Sequence, residues 1–466
     1  MPYYNERANK FSHEKIINNQ LFKNKLKDYK ITFDIGENDN GYESIKTKFV
    51  NKDDNNESKA IDYIFTVDSS FMEIPVNEEI PTAKIGIINF GSSIINLKMK
   101  SNVYEEGFIN PQKFNDIYNS SMFTFMCPTF NVTLKDDKNL STLDCIRKEI
   151  YDFYYMNKPF SDIRLINTLF NIMKSNMESF ELKCTNETCI TQGMGTSTCS
   201  PRNNFKLGDV GIEPFYCPYC GEIMYITDYL RLHEAVDIEF GNNTILTRFA
   251  QVTEHIININ AIDSLLKHRS YDLLSRTAFI IDGPLAIYGE PAKLNRSILK
   301  YLHSVSKIID DGIVYFGILK TGKLKDHFNL LLKKLKTDEN EIPKNTFMLV
   351  DDNYRFKYVQ KAPRENKYFG QEVLFGQDYL FYSKDQKRFV ISILYPVESR
   401  DKNFGENVFN HKNYRNLQTI LNLINNISID LYEDAVLPVA LAHKYAAISL
   451  NPGTNILEIF IRENLN

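Results

Sequence analysis

Thr277-Ala-Phe-Ile-Ile-Asp-Gly-Pro284 decides the fold class. A short run suited to a buried strand stops at an acid and a Gly-Pro turn. After it, Ile298, Tyr301, Leu302, Val305, Ile308 and Ile309 fall on one face of a helix. Ile313-Val-Tyr-Phe-Gly-Ile-Leu319 reads as a second apolar strand, and Leu324, Phe328, Leu331, Leu332 and Leu335 mark a second helix. Strand, helix, strand, helix is the pattern of a crossover unit with a parallel pair. The expectation is an α/β fold in which a mixed sheet is flanked by helices.

Working outward, Ile61-Asp-Tyr-Ile-Phe-Thr-Val67 alternates and ends at Asp68-Ser-Ser70. Lys84–Phe90 and Ile94–Met99 read as two strands joined through Gly91-Ser-Ser93, which suggests an antiparallel meander. Ser141-Thr-Leu-Asp144 has the form of a capping box, and Ile146, Ile150, Phe153 and Tyr154 continue one helical face behind it. Arg388–Tyr395 reads as a further strand. Helices near Tyr414–Ile427 and Leu437–Ser449 close the chain. Residues 1–59 form a polar lead-in with a helix around Glu14–Tyr29. Residues 60–183 and 236–466 form the two parts of one discontinuous core, and 184–235 a small insertion.

The 466 residues suggest roughly three domains at about 150 residues each. With 43% apolar and 24% charged residues, a packed core is expected rather than a disordered polymer. The net charge of −4 excludes a protein that holds nucleic acid by bulk positive charge, although a local basic groove stays open. No segment approaches the ~20 apolar residues that span a bilayer, and Met1–Gln20 lacks the form of a signal peptide. A soluble cytoplasmic protein without membrane association is expected.

Asp68 and Asp282 stand out because each follows an apolar strand and precedes small residues or a turn. Open α/β sheets place their sites at such strand ends. Carboxylates meeting there can hold Mg²⁺ or Mn²⁺, hard cations that favour oxygen ligands. Glu149 lies within or beside the apolar face of its helix, where it is either a rim residue paired with Lys or Arg or a carboxylate with a task.

Four segments carry a resemblance. Tyr63-Ile-Phe-Thr-Val-Asp-Ser-Ser-Phe71 and Phe279-Ile-Ile-Asp-Gly-Pro-Leu285 resemble the first and second motifs of the NurA nuclease family. Val314-Tyr-Phe-Gly-Ile-Leu-Lys320 is similar to its later strand ending in Lys, and Leu437-Pro-Val-Ala-Leu-Ala-His-Lys-Tyr-Ala446 to its C-terminal helix. They occur in the family's order, with Ser69 where the family has glycine. The resemblance implies an RNase H-like core and a Mn²⁺- or Mg²⁺-dependent deoxyribonuclease. It further implies a homodimer working on DNA ends with a HerA-like hexameric ATPase, in repair or anti-phage defence. Carried over by position, Asp68, Glu149, Asp282 and His443 are expected metal ligands, and Lys320 a catalytic cation. The alternative is a catalytically weak adaptor that docks such an ATPase onto DNA.

Five of the seven cysteines fall between positions 184 and 220. Cys217-Pro-Tyr-Cys-Gly221 reads as a zinc knuckle, and Cys184-Thr-Asn-Glu-Thr-Cys189 as the second pair of a four-cysteine Zn²⁺ ribbon. Cys199, in the spacer, can replace Cys184 or Cys189 in that reading. Cys127 and Cys145 read as core residues. Lys320, Lys323, Lys325, Lys333, Lys334 and Lys336 form a cationic run, of which Lys320 is expected to act near the metals.

Overall fold

The computed structural model describes residues 11–29, 45–53, 59–98, 104–105, 108–109, 118–135, 140–186, 189, 202–237, 242–335, 341–363, 367–429, 435–448 and 453–465. Its centre is the pair foreseen above. Strand β5 (Thr277–Asp282) lies parallel to β6 (Val314–Leu319), with Asp282 in register with Ile318. Helix α4 (Leu294–Ser306) crosses between them, and α5 (Lys323–Lys334) follows β6. Such a connection forms because two buried parallel strands need a helix to return the chain over one face.

The meander joins β5 on its other side. Strand β2 (Tyr63–Pro75) pairs in parallel with β5 from Tyr63–Thr277 to Val67–Ile281, and antiparallel with β3 (Lys84–Asn96). Strand β3 in turn pairs with β4 (Tyr118–Phe130). Beyond β6 the sheet continues antiparallel through β9 (Arg388–Leu394), β8 (Gly376–Tyr382), β7 (Thr346–Leu349) and the two-residue β1 (Val50–Asn51). The nine strands run in the order β1-β7-β8-β9-β6-β5-β2-β3-β4.

Two expectations about this meander are corrected. Strand β2 does not end at Asp68-Ser-Ser70; it continues as far as Pro75. Nor does Gly91-Ser-Ser93 join two strands, because β3 runs unbroken through it. Asp68 therefore sits in mid-strand, opposite Gly91. It is nevertheless one residue past the last parallel pair, Val67–Ile281, where β5 stops and leaves that edge of β2 without a neighbour.

Alternation along the strands sorts the two faces. Phe65, Val67, Phe279 and Ile281 pack under α1 (Thr142–Met156), α2 (Leu165–Lys174), α3 (Asn243–Lys267) and α4. Ile64, Ile280 and Phe316 pack on the other face against α6 (Leu417–Ile427) and α7 (Leu437–Ala446). Helix α1 starts as foreseen, with Ser141 Oγ accepting the Asp144 amide at 3.2 Å. The lead-in helix is two helices, Phe11–Asn18 and Gln20–Asp28, divided at Asn19, whose side chain caps the second.

Candidate functional site

Asp68 and Asp282 occupy even positions on adjacent strands, in phase with Ile64 and Ile280, and so share the face covered by α7. The approach of α7 depends on Gly91: a Cβ there would lie 2.7 Å from the Ala446 backbone nitrogen and 3.0 Å from the Ala442 carbonyl. With no side chain in the way, α7 carries His443 over Asp68, and His443 Nδ1 lies 2.8 Å from Asp68 Oδ2. A carboxylate only accepts, so Nδ1–H is the donor. The imidazole is largely exposed while Asp68 is buried. The other Asp68 oxygen accepts the Ser69 amide at 2.8 Å.

Asp282 ends β5 at a turn whose Gly283 has φ 137°. Lys320, the residue after β6, donates from Nζ to Asp282 Oδ2 at 2.7 Å. Gly317 makes room for the turn, since a Cβ there would run into the Gly283 carbonyl. Burial pushes the Asp282 carboxyl above the usual range; Lys320 opposes that and Asp68 adds to it.

A further carboxylate joins these from the opposite face. Ser69, out of phase with Asp68, points toward α3 and donates its hydroxyl to Glu254 Oε1. Burial, then the charge of Asp68, hold the Glu254 carboxyl well above its ordinary value of 4.5, and Asp282 contributes in the same direction. Glu254 is thus crowded by both aspartates at the point where β5 ends. It was missed in the sequence because Asn243–Lys267 is buried nearly all round and rich in Ile, Thr and Asn, so it shows neither a clear helical stripe nor strong helix formers. The available signal was a carboxylate set within an otherwise apolar stretch.

The structure does not bring Glu149 to this group. Its neighbours are Lys148 and Asp152 on its own helix, and it shares the surroundings of Cys127 with Glu73. Glu73 is five residues along β2 from Asp68, which on a strand is about 17 Å. The turn of α1 that carries Glu149 lies toward Cys127 and Glu73, while the later turn with Phe153 and Tyr154 reaches Phe90 and Thr253, and that is why its acid misses the site. Of the cationic run, Lys320 alone pairs with the aspartates among the described residues. Lys325 is buried and donates to the Arg388 carbonyl, Lys323 reaches Gln360 at 3.3 Å, and Lys336 lies outside the described residues.

The donor set suits divalent cations: three carboxylates plus an imidazole, with Glu254 and Asp282 raised first by burial and further by neighbouring carboxylates. Among the described residues, only Cys184, Cys189, Cys217 and Cys220 bring three or more ligand atoms within 4.8 Å of one another. The carboxylates are therefore spread wider than the ligand shell of a single ion. Cys127 and Cys145 are buried in the core, as expected, and Cys199 lies outside the described residues. No described helix is long and apolar enough to cross a membrane.

No family model matches the chain, and no curated protein does either. Among solved structures, it is similar to the NurA nuclease from Sulfolobus solfataricus over 97% of this chain and 96% of that one. Identity is 12% and the TM-score 0.33, a likeness too loose to carry fold or function.

Proposed function

We propose that the chain is a metal-dependent nuclease that hydrolyses DNA phosphodiester bonds. The observation that carries the reading is the meeting of Asp68, Glu254 and Asp282, from β2, α3 and β5, beside His443 and Lys320. The strand order β4-β3-β2-β5-β6, an antiparallel meander followed by two parallel strands, supports an RNase H-like core. Because they are spread wider than a single ion's shell, Asp68, Glu254 and Asp282 would share two Mn²⁺ or Mg²⁺ ions rather than close on one, with His443 as a further ligand or phosphate contact. Bound there, the metal would lower the pKa of water and neutralise charge on the phosphate.

The remaining work falls to the chain. Asp68 fixes the His443 ring through Nδ1, which leaves Nε2 as the atom available to a ligand or phosphate. Lys320 offers a mobile cation at the rim, able to move from Asp282 to a non-bridging phosphate oxygen as charge builds there. Ser69 holds Glu254 in place by its hydroxyl. Substituting serine for glycine after the first aspartate thus adds a positioning contact, which favours activity over the adaptor reading.

With a net charge of −4, DNA capture is proposed to depend on a local grip aided by a second copy and by a HerA-like hexameric ATPase. The test is degradation of linear DNA with Mn²⁺, with and without that ATPase. Wild type should degrade it and Asp68→Ala should not. Equal, negligible degradation by both proteins under both conditions would sink the nuclease reading and leave the adaptor.

A further inference from the structure

Four thiols converge between residues 184 and 220. Cys184 Sγ lies 3.6 Å from Cys220 Sγ, and Cys189 Sγ 3.8 Å from Cys217 Sγ. These are not disulfides, whose sulfurs stand about 2.05 Å apart. A regular tetrahedron of sulfurs about 2.3 Å from a central zinc has edges of about 3.8 Å; these two pairs match it, and all four sulfurs lie within 4.8 Å of one another. Cys217–Cys220 form the loop of a hairpin in which Phe215–Tyr216 pairs with Ile223–Met224. The Cys217 amide donates to the Glu222 carbonyl at 2.8 Å, and Gly221 turns the knuckle with φ 76°. Cys184 follows the strand Ser179–Lys183 directly.

The second strand of this hairpin is tied to the core by a buried cation. Arg147 of α1 donates to the Ile223 carbonyl at 2.8 Å and to both oxygens of Asp228, at 3.0 and 2.7 Å. Its fourth contact is Asp144 at 3.1 Å. Asp228 in turn accepts the Tyr225 amide at 2.9 Å. Arg147 and Asp228 are each all but sealed from solvent. A guanidinium buried in α1 thus takes one partner from a hairpin only two residues long in each strand, far too short to persist alone, and its bidentate partner Asp228 from the turn Ile226–Leu230 that follows it.

We propose that Cys184, Cys189, Cys217 and Cys220 bind one structural zinc ion, and that this ion anchors the hairpin so that Asp228 and the Ile223 carbonyl stay on Arg147. All four positions of a tetrahedral ion are taken by thiolates, which leaves none for water or substrate and makes the site structural rather than hydrolytic. Cys199 is not needed to complete it.

Elemental analysis of the purified full chain should find about one zinc per chain. Metal-free protein titrated with Co²⁺ should develop thiolate charge-transfer and tetrahedral absorption bands. Cys217→Ser should lose the metal, while Cys199→Ser should keep it. Removing zinc from the wild type should open new protease sites between residues 202 and 235, and adding it back should close them. Three results would each overturn the proposal: neither zinc nor Co²⁺ bound, iron in place of zinc, or metal lost in Cys199→Ser. Unchanged protease resistance after zinc removal would overturn the anchoring role. None of these readouts involves nuclease activity, so the zinc site stands or falls apart from it.

Discussion

Replacing Glu254 by Gln separates the site built here from the one read in the sequence. At Mn²⁺ a hundredfold above its dissociation constant, binding stabilises the native state by about 2.7 kcal/mol. Even a residue that merely orients a ligand is worth about 10- to 100-fold in metal affinity, so losing a ligand should cost at least tenfold. At the same Mn²⁺ concentration the stabilisation then falls to about 1.4 kcal/mol for a tenfold loss and about 0.4 for a hundredfold one. If all 466 residues melt together, with about 2.1 cal/mol/K of unfolding entropy per residue, 1 kcal/mol corresponds to about 1 °C. The Mn²⁺-induced shift should therefore drop from about 3 °C to about 1 °C or less.

Without metal the sign reverses. Burial and the charge of Asp68 raise the native Glu254 carboxyl above its unfolded value, so ionising it costs the folded state. An amide carries no such cost. Metal-free Glu254→Gln should melt at or above wild type, and its advantage should grow as pH rises above 4.5 until the native carboxyl is ionised. Thermal melts with and without Mn²⁺, beside degradation of linear DNA, measure all of this. Glu149→Gln is the control, expected to keep the wild-type Mn²⁺ shift and DNA degradation. Should Glu254→Gln keep the full Mn²⁺ shift while Glu149→Gln loses it, the third carboxylate has been misassigned.

Three further outcomes follow from the geometry. Gly91→Ala should lose about 1–3 kcal/mol, because the new methyl pushes α7 away, and DNA degradation should fall further than stability alone explains as His443 leaves Asp68; calorimetry and a nuclease assay on the same preparation check it. Lys320→Met should lower kcat by about 10²- to 10³-fold while the Mn²⁺ shift is kept or grows, since Asp282 is freed from its cation; a lost Mn²⁺ shift would place Lys320 in a structural role instead. Asp228→Ala should cost about 3–5 kcal/mol by stranding Arg147, and the pair Arg147→Met with Asp228→Leu should recover much of that in urea unfolding.

How much of this could be read from the sequence depended on whether the signal was local. The β5-α4-β6-α5 unit was legible because buried parallel strands are continuous apolar runs and their helices carry one apolar face. The cysteine quartet was legible because two short spacings declare it. Helix α3 was not, since tertiary burial on nearly all sides erases the stripe that marks a surface helix, and Ile-Ile-Asn-Ile-Asn260 would not be helical on propensity alone. Strands β7 and β8 likewise went unread, although they pair in the centre of one half of the sheet.

The instructive errors are Asp68-Ser-Ser70 and Gly91-Ser-Ser93. Both have the composition of turns, and both lie in the middle of 13-residue strands, meeting at the single pair Asp68–Gly91. Their residue types serve contacts across the sheet rather than a reversal of the chain. Asp68 meets His443 on one face, Ser69 meets Glu254 on the other, and Gly91 gives up its side chain so that α7 can reach the strand. Local preference loses here because β3 supplies the ladder hydrogen bonds of Asp68-Ser-Ser70, β2 and β4 supply those of Gly91-Ser-Ser93, and the helices supply the polar partners. Where two adjacent strands break their own composition at the same register, the break itself marks a site.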